Sequence, residues 1–97
     1  MIIVHDIFVC KPGNASKLAK KFKEAMAGNS EFVQIMTDLT GQFNRVVMVS
    51  KYESLAAYEK NWEKYKSDTE TMKKMNEAMA GYQEMYHSGS REIYQVW

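Results

Sequence analysis

The chain has 97 residues with 13 basic and 12 acidic side chains, so it is long enough for one domain over residues 1–97 and too short for a second hydrophobic core. The formal net charge of +1 argues against a nucleic-acid-binding protein, and no stretch approaches the ~20 apolar residues of a membrane span. The lone cysteine, Cys10, has no internal disulfide partner, which indicates a reducing compartment. We therefore expect a cytoplasmic protein.

The first part of the chain predicts a strand and a helix. The apolar segment Ile2–Cys10 is typical of a strand that is covered on both faces. Pro12 and Gly13 end this strand, because proline has no donor for a strand ladder and glycine permits a tight turn. Asn14 then predicts the start of a helix that runs to about Ala27, with its apolar residues three and four positions apart.

The middle of the chain predicts two strands joined by a short turn. The segment Phe32–Leu39 alternates between more and less apolar residues, as an edge strand does. After a turn over residues 40–42, the segment Phe43–Lys51 contains the uninterrupted apolar run Val46–Val49, which predicts a central strand. Strands this close in sequence predict an antiparallel hairpin.

Two helical segments and a last strand complete the chain. Ser54 predicts one helix start, and Asp68 predicts a break followed by a second start. The apolar spacing continues past Gly81, so the second helix is predicted to end only at residues 88–90. The last strand is then Arg91–Trp97.

This order of elements predicts an α+β fold of the ferredoxin-like, split βαβ type, with the order β-α-β-β-α-β. Right-handed crossovers place the first and third strands in the middle of a four-stranded antiparallel sheet, with the helices on one face. The helices can cover only that face, whereas the central strands are apolar on both faces. We therefore predict a homodimer in which the two helix-free sheet faces pack together.

Two segments resemble the dimeric α/β-barrel superfamily, which includes antibiotic-biosynthesis-type monooxygenases and NIPSNAP-like proteins. The first is Phe8–Gly13, which leads into a helix, and the second is Val46–Leu55, an apolar strand that runs into an aromatic-Glu-Ser step. The closing segment Ser88–Ile93 is similar to small bacterial members. The resemblance implies a dimeric α/β barrel and a small pocket for an apolar or aromatic ligand between the helices and the sheet.

His5 and Asp6 are the candidate polar anchors and candidate catalytic groups of such a pocket. They are neighbours on the first strand, so their side chains point to opposite faces of the sheet. The alternative is purely structural, with one polar residue tolerated on each face. The residue that faces the helices would lie on the pocket floor, where apolar walls can shift its pKa. The resemblance implies that a base there could deprotonate an acidic phenol, whose carbanion reacts with oxygen.

Aromatic and methionine side chains are the candidates for the pocket walls. Stripes of such residues at helical spacing are more typical of a core, although they also suit an adaptable apolar pocket. A tyrosine of the last strand adds a possible hydroxyl partner. The candidate ligand-binding residues are Tyr58, Trp62, Met72, Met75, Met79 and Tyr94.

Other kinds of site have less support. Haem-degrading members of the superfamily use a helix histidine, but Met72 and Met75 stand in that region and His87 lies over a turn later. The two histidines lack the spacing of a metal site, and no phosphate-binding glycine loop is visible. The sequence thus predicts a homodimer without cofactor or metal, and with no nucleic-acid or membrane partner. It either binds a small apolar or aromatic molecule or serves only as an assembly module, and the alternative is a cofactor-independent monooxygenase.

Overall fold

The computed structural model describes residues 1–41 and 43–97, so Gln42 of the predicted turn lies outside the described residues. The chain forms one four-stranded antiparallel sheet in the order β2-β3-β1-β4, which confirms the predicted ferredoxin-like α+β topology with two apolar central strands. The elements are β1 (Ile2–Cys10), α1 (Ala15–Ala25), β2 (Phe32–Thr37), β3 (Arg45–Tyr52), α2 (Leu55–Ser67), α3 (Thr69–Ala78), a 3₁₀ turn (Tyr82–Glu84) and β4 (Tyr86–Gln95). No helix among the described residues is long and apolar enough to span a membrane.

The hydrophobic core lies between the sheet and α1. Leu18 and Phe22 of α1 are buried against Cys10 of β1 and Val46 of β3, and Met79 closes the cluster from the end of α3. These helix residues are four positions apart, so they lie on one side of α1. The apolar stripe of the first helix therefore packs on the sheet as predicted.

The second helical pair packs much less tightly. Ser54 and Asp68 cap α2 and α3, since the Ser54 hydroxyl accepts a hydrogen bond from the Ala57 amide and the Asp68 carboxylate accepts one from the Thr71 amide, both at 3.1 Å. These two predicted helix starts are confirmed. However, no residue within α2 or α3 is buried. The part of the sheet beneath α2 is consequently not filled by a close-packed core.

The predicted continuation of the last helix through Gly81 is wrong. The helix α3 ends at Ala78, and Gly81 has a φ of +81°, a left-handed conformation that does not continue an α-helix. Strand β4 begins at Tyr86 instead of Arg91. Tyr82 lies in the 3₁₀ turn and Tyr86 in β4, yet both pack against the core. Apolar residues at helical spacing therefore continue in the sequence past the end of the helix.

The second face of the sheet carries no helix of the described chain. Side chains alternate along a strand, so Ile3, His5 and Ile7 of β1 point to this face, beside Val47 and Val49 of β3. Val49 is buried by its neighbours, and the other four are partly exposed. In the structure, the two central strands thus carry apolar side chains on both faces of the sheet.

Candidate functional site

A cleft of about 470 Å³ lies between the sheet and the helices, on the side that α2 covers. This volume is within the range of small-molecule sites, which is about 300–1,000 Å³. Its floor is formed by β1, β3 and β4, and its walls by side chains of all three helices. Aromatic rings and methionine side chains supply most of the walls, together with several amides and hydroxyls.

The floor of the cleft carries an ion pair. Asp6 and Arg91 are Cα partners on β1 and β4, and Arg91 Nε donates a hydrogen bond to Asp6 Oδ1 at 2.5 Å. The side chain of Asp6 is 12% exposed and that of Arg91 is 46% exposed. Among the described residues that line the cleft, these two alone are charged. The cleft therefore has no net charge.

Arg91 remains a cation in this position. Partial burial, the largest single influence, lowers the pKa of its guanidinium. The hydrogen bond to Asp6 and the negative charge of that carboxylate raise it, and together with the neighbouring tyrosines they bring the pKa above its ordinary value. The floor of the cleft thus carries the positive charge of Arg91, held beside the Asp6 carboxylate.

Aromatic residues of α2 form the wall above Arg91. Tyr58 and Trp62 are four positions apart and so lie on the same side of the helix. The Arg91 Cζ atom lies 5.5 Å from the ring centre of Trp62 and 5.9 Å from that of Tyr58, within the ~6 Å range of cation–π contacts. Tyr65 continues the wall, with its ring centre 5.9 Å from that of Trp62. Trp62 is 39% exposed, which places it at the mouth of the cleft.

The Tyr58 hydroxyl is buried and has no hydrogen-bond partner among the described residues. An unsatisfied buried polar group costs about 1–3 kcal/mol of stability. The neighbouring Tyr52 differs, because its hydroxyl accepts a hydrogen bond from Asn61 Nδ2 at 3.3 Å. Burial raises the pKa of Tyr52, so that phenol stays neutral. The unpartnered hydroxyl of Tyr58 marks a position at which a ligand atom can complete the hydrogen bonding.

The structure brings most of the predicted site residues together around this cleft. Asp6 lies on its floor, Tyr58 and Trp62 lie in the α2 wall, and Met75 and Met79 lie in the α3 wall. Of the two predicted polar anchors, Asp6 is therefore the one that faces the helices. Met79 is buried, whereas Met75 is only partly buried and borders the open space.

Three of the predicted residues lie elsewhere in the structure. His5 and Tyr94 point to the helix-free face, where their rings meet edge-on with centres 5.3 Å apart. His5 is next in sequence to Asp6, and Tyr94 is next to Ile93, both of which face the helices. Because side chains alternate along a strand, His5 and Tyr94 face the other side. Met72 borders a separate surface groove on α3, beside Lys73. It lies three positions before Met75 on α3, but it is not among the described residues that line the cleft.

Arg91 is the main functional candidate that the sequence did not reveal. The sequence predicts Arg91 as the first residue of the last strand and not as a residue of the site. Once β4 is known to begin at Tyr86, the antiparallel register places Arg91 beside Asp6. One signal in the sequence could have revealed this role of Arg91. An arginine on one predicted strand can pair with an aspartate that is buried on another.

Within residues 1–41 and 43–97, no cluster of metal-ligating side chains and no exposed thiol borders the cleft. The described residues contain no group of three or more His, Cys, Asp or Glu side chains that could hold a metal ion. Cys10 is buried in the core, and burial raises the pKa of its thiol. A protonated, buried thiol is a poor nucleophile. The groups that can act on a ligand in the cleft are therefore hydrogen-bond donors, one carboxylate and aromatic faces.

Comparisons with known proteins agree with this architecture. An uncharacterized NIPSNAP domain protein from Burkholderia xenovorans superposes with a TM-score of 0.80 at 12% identity, covering 100% of this chain and 95% of that one. A NIPSNAP family protein from Agrobacterium tumefaciens gives a TM-score of 0.77 at 14% identity, with 97% and 90% covered. A candidate antibiotic biosynthesis monooxygenase from Chloroflexus aurantiacus gives 0.68 at 10% identity, with 99% and 92% covered. At these identities the likeness shows a shared fold.

The sequence comparisons are more specific. No curated protein matches the chain. The family profile described as NIPSNAP matches residues 6–91, which is most of this chain. The match extends from β1 into β4, and so includes the sheet floor, α2 and α3. The chain therefore belongs to the NIPSNAP family.

Proposed function

We propose that this protein binds a small aromatic molecule in the cleft between the sheet and α2. The observation that carries the proposal is the hollow under α2. This helix directs Tyr58, Trp62 and Tyr65 towards the sheet, yet none of its residues is buried. A close-packed domain interior would bury such a stripe. Aromatic side chains that border open space instead offer stacking surfaces to a ligand.

The remaining walls suit an occupant of this kind. The exposed ring of Trp62 at the mouth can stack on a planar molecule. Met75 is flexible and polarizable, so it can adapt to the outline of a ligand. The Asp6–Arg91 pair on the floor gives the cleft a polar end, which would fix the direction in which a ligand enters.

The proposal is tested by thermal melting with a panel of aromatic compounds. A compound that binds only the folded protein at a concentration one hundred times its Kd stabilises it by about 2.7 kcal/mol. We expect Trp62→Ala to remove this ligand-induced shift. Trp97→Ala is the matched control, since Trp97 is fully exposed at the end of the chain and does not line the cleft. If no aromatic compound shifts the wild-type transition, the proposal fails and an assembly module remains.

A cofactor-independent monooxygenase is the second candidate function, and the placement of Asp6 favours it. Its carboxylate is the only base of the Asp or Glu type among the described lining residues. In the proposed reaction Asp6 removes the hydroxyl proton of a phenol, and the electron-rich ring carbon forms a bond to molecular oxygen. The hydroperoxide then loses water to give a quinone. One phenol and one O₂ are consumed, and one quinone and one water are formed.

Oxygen uptake separates this candidate from binding alone. The wild-type protein would consume oxygen in step with quinone formation from an electron-rich naphthol, and Asp6→Asn would abolish this activity. His5→Gln is the control, because His5 is adjacent in sequence but lies on the opposite face of the sheet. Ligand-induced stabilisation without oxygen uptake would leave binding as the function.

We also propose that the protein is a homodimer whose two helix-free sheet faces pack together. The support is the apolar centre of that face, where Ile3 and Ile7 of β1 lie beside Val47 and Val49 of β3. A second copy would cover these side chains, with the two sheets about 10 Å apart. This arrangement leaves each cleft on the outer, helical side of its own sheet.

A further inference from the structure

We infer that the occupant of the cleft is a neutral aromatic carbonyl compound, whose carbonyl oxygen is held by the Tyr58 hydroxyl and the Arg91 guanidinium. The inference rests on the proposed aromatic binding function and adds the chemical class of the ligand. It follows from three properties of the cleft: an unused donor, a second donor held in a fixed orientation, and a balanced charge.

The first donor is the hydroxyl of Tyr58. It is buried without a hydrogen-bond partner, while its ring is held edge-on by Tyr52 and Trp62, with ring centres 5.1 Å and 6.3 Å away. Both aromatic neighbours pack against the ring, and the hydroxyl has no hydrogen-bond partner within the described part of the chain. A ligand oxygen that accepts its proton would relieve the cost of burying it unpaired.

The second donor is the guanidinium of Arg91. Its Nε is engaged by Asp6, and no other hydrogen bond of its side chain occurs among the described residues. The two terminal amino groups are therefore available. Asp6 holds one edge of the planar group, and the rings of Tyr58 and Trp62 lie 5.9 Å and 5.5 Å from its central carbon. These contacts orient the guanidinium before a ligand arrives, which lowers the entropy cost of binding.

The charge balance selects among possible acceptors. Asp6 and Arg91 neutralise each other, and no other charged residue of the described chain lines the cleft. A carboxylate ligand would place a second negative charge close to Asp6 in a partly buried site, which is unfavourable. A cationic ligand would meet Arg91. A neutral carbonyl oxygen accepts from both donors and leaves the charge balance unchanged.

Three related compounds test this inference by calorimetric titration of the full chain. Tetralin, α-tetralone and the α-carboxylate of tetralin share one ring system and differ in a methylene, a carbonyl or an anionic group. We expect the wild-type protein to bind α-tetralone about tenfold more tightly than tetralin, which corresponds to one to two net hydrogen bonds. The carboxylate is expected to bind more weakly than the ketone.

Two variants assign the preference to its donors. Tyr58→Phe should bring the affinity for α-tetralone close to that for tetralin, without lowering the melting temperature, because the lost hydroxyl had no partner. Tyr94→Phe removes the same atom on the helix-free face, where the hydroxyl donates to Glu92 Oε1 at 2.7 Å, and should leave the ratio unchanged. Arg91→Lys keeps the positive charge beside Asp6 but has no second terminal amino group, so it should reduce the ratio.

The possible outcomes are distinct. Equal binding of ketone and hydrocarbon by the wild-type protein overturns the inference and leaves aromatic binding intact. Tighter binding of the carboxylate overturns the assignment of a neutral ligand. If none of the three compounds binds up to its solubility limit, the inference fails, and melting with the wider panel of aromatic compounds decides whether the proposed function fails as well.

Discussion

Arg91 and Asp6 face each other across β4 and β1, and the arginine Nε lies 2.5 Å from the aspartate Oδ1. The pair joins an edge strand to a central strand on the side of the sheet that the helices cover. Asp6 is largely buried, so loss of Arg91 leaves a buried negative charge without a partner. Arg91 is half exposed, so after loss of Asp6 its positive charge can still be solvated by water. The consequences of breaking the pair are therefore asymmetric.

Arg91→Leu should lower the free energy of unfolding by about 1–3 kcal/mol, because it leaves a buried carboxylate without its charged partner. The half-exposed position of Arg91 keeps the loss near the lower end of this range, since solvent screens part of the interaction. Urea unfolding measures the effect. The double variant Asp6→Asn with Arg91→Leu should recover part of the loss. If the double variant is less stable by the sum of both single losses, the two residues are not coupled.

Met75→Phe should be tolerated in the hollow cleft, with a change in unfolding free energy below about 1 kcal/mol. The added volume can extend into the open space that Met75 borders. Leu18→Phe is the matched comparison, because Leu18 is fully buried in the core and does not line the cleft, and overpacking there costs about 1–3 kcal/mol. Thermal melts of both variants provide the measurement. Equal and large losses would mean that the cleft closes in solution.

Val47→Glu should convert the proposed homodimer into a monomer of 11.3 kDa at micromolar concentration, as measured by light scattering. Val47 lies on β3 in the centre of the helix-free face, where a second sheet would bury the new charge. Ile93→Glu is the control, because Ile93 is partnered with the buried Val4 on the helical side of the sheet and is exposed there. A wild-type protein that is itself monomeric would rule out the dimer.

The stability of the protein should fall at alkaline pH. Burial raises the pKa of Tyr52, and the same cause raises the pKa of Tyr65. Both phenols thus stay neutral in the folded protein at a pH where the unfolded chain ionises. Their contribution is fully present below the unfolded tyrosine pKa of about 10 and is lost as the pH rises through the higher folded value.

This dependence can be measured by urea unfolding at a series of pH values between about 9 and about 12, around the tyrosine pKa. Tyr52→Phe should flatten the decline, even though it also removes the hydrogen bond from Asn61 and lowers the starting stability. The slope is the relevant quantity. Identical slopes for the wild type and the variant would contradict a raised pKa of Tyr52.

The sheet could be predicted because its signals are local. Pro12 ends β1, the run Val46–Val49 identifies a central strand, and Ser54 and Asp68 supply helix caps that the structure confirms. The end of α3 could not be predicted in this way. Glycine tolerates both a helix and a left-handed turn, so the backbone angle of Gly81 decides between them and the sequence does not.

The candidate site was predictable only in part, for a related reason. The sequence shows that His5 and Asp6 face opposite sides, but alternation alone does not say which side carries the helices. That assignment needs the register between strands, which also brings Arg91 to Asp6. The open space beneath α2 depends on how closely a helix approaches the sheet, a property that residue spacing does not encode.

The pairing register of β4 limits which insertions and deletions the segment before Arg91 can accept. Ser90, Arg91 and Glu92 follow one another on this strand, and only the second points to the floor of the cleft. Deleting a single residue between Gly81 and Arg91, with the strand pairing kept in place, would carry Glu92 to the position beside Asp6 and set two carboxylates against each other. An insertion of one residue would bring Ser90 there and leave the aspartate without a cation. Changes of two residues would preserve the side to which each residue points, so this segment can lengthen or shorten by even numbers far more readily than by odd ones.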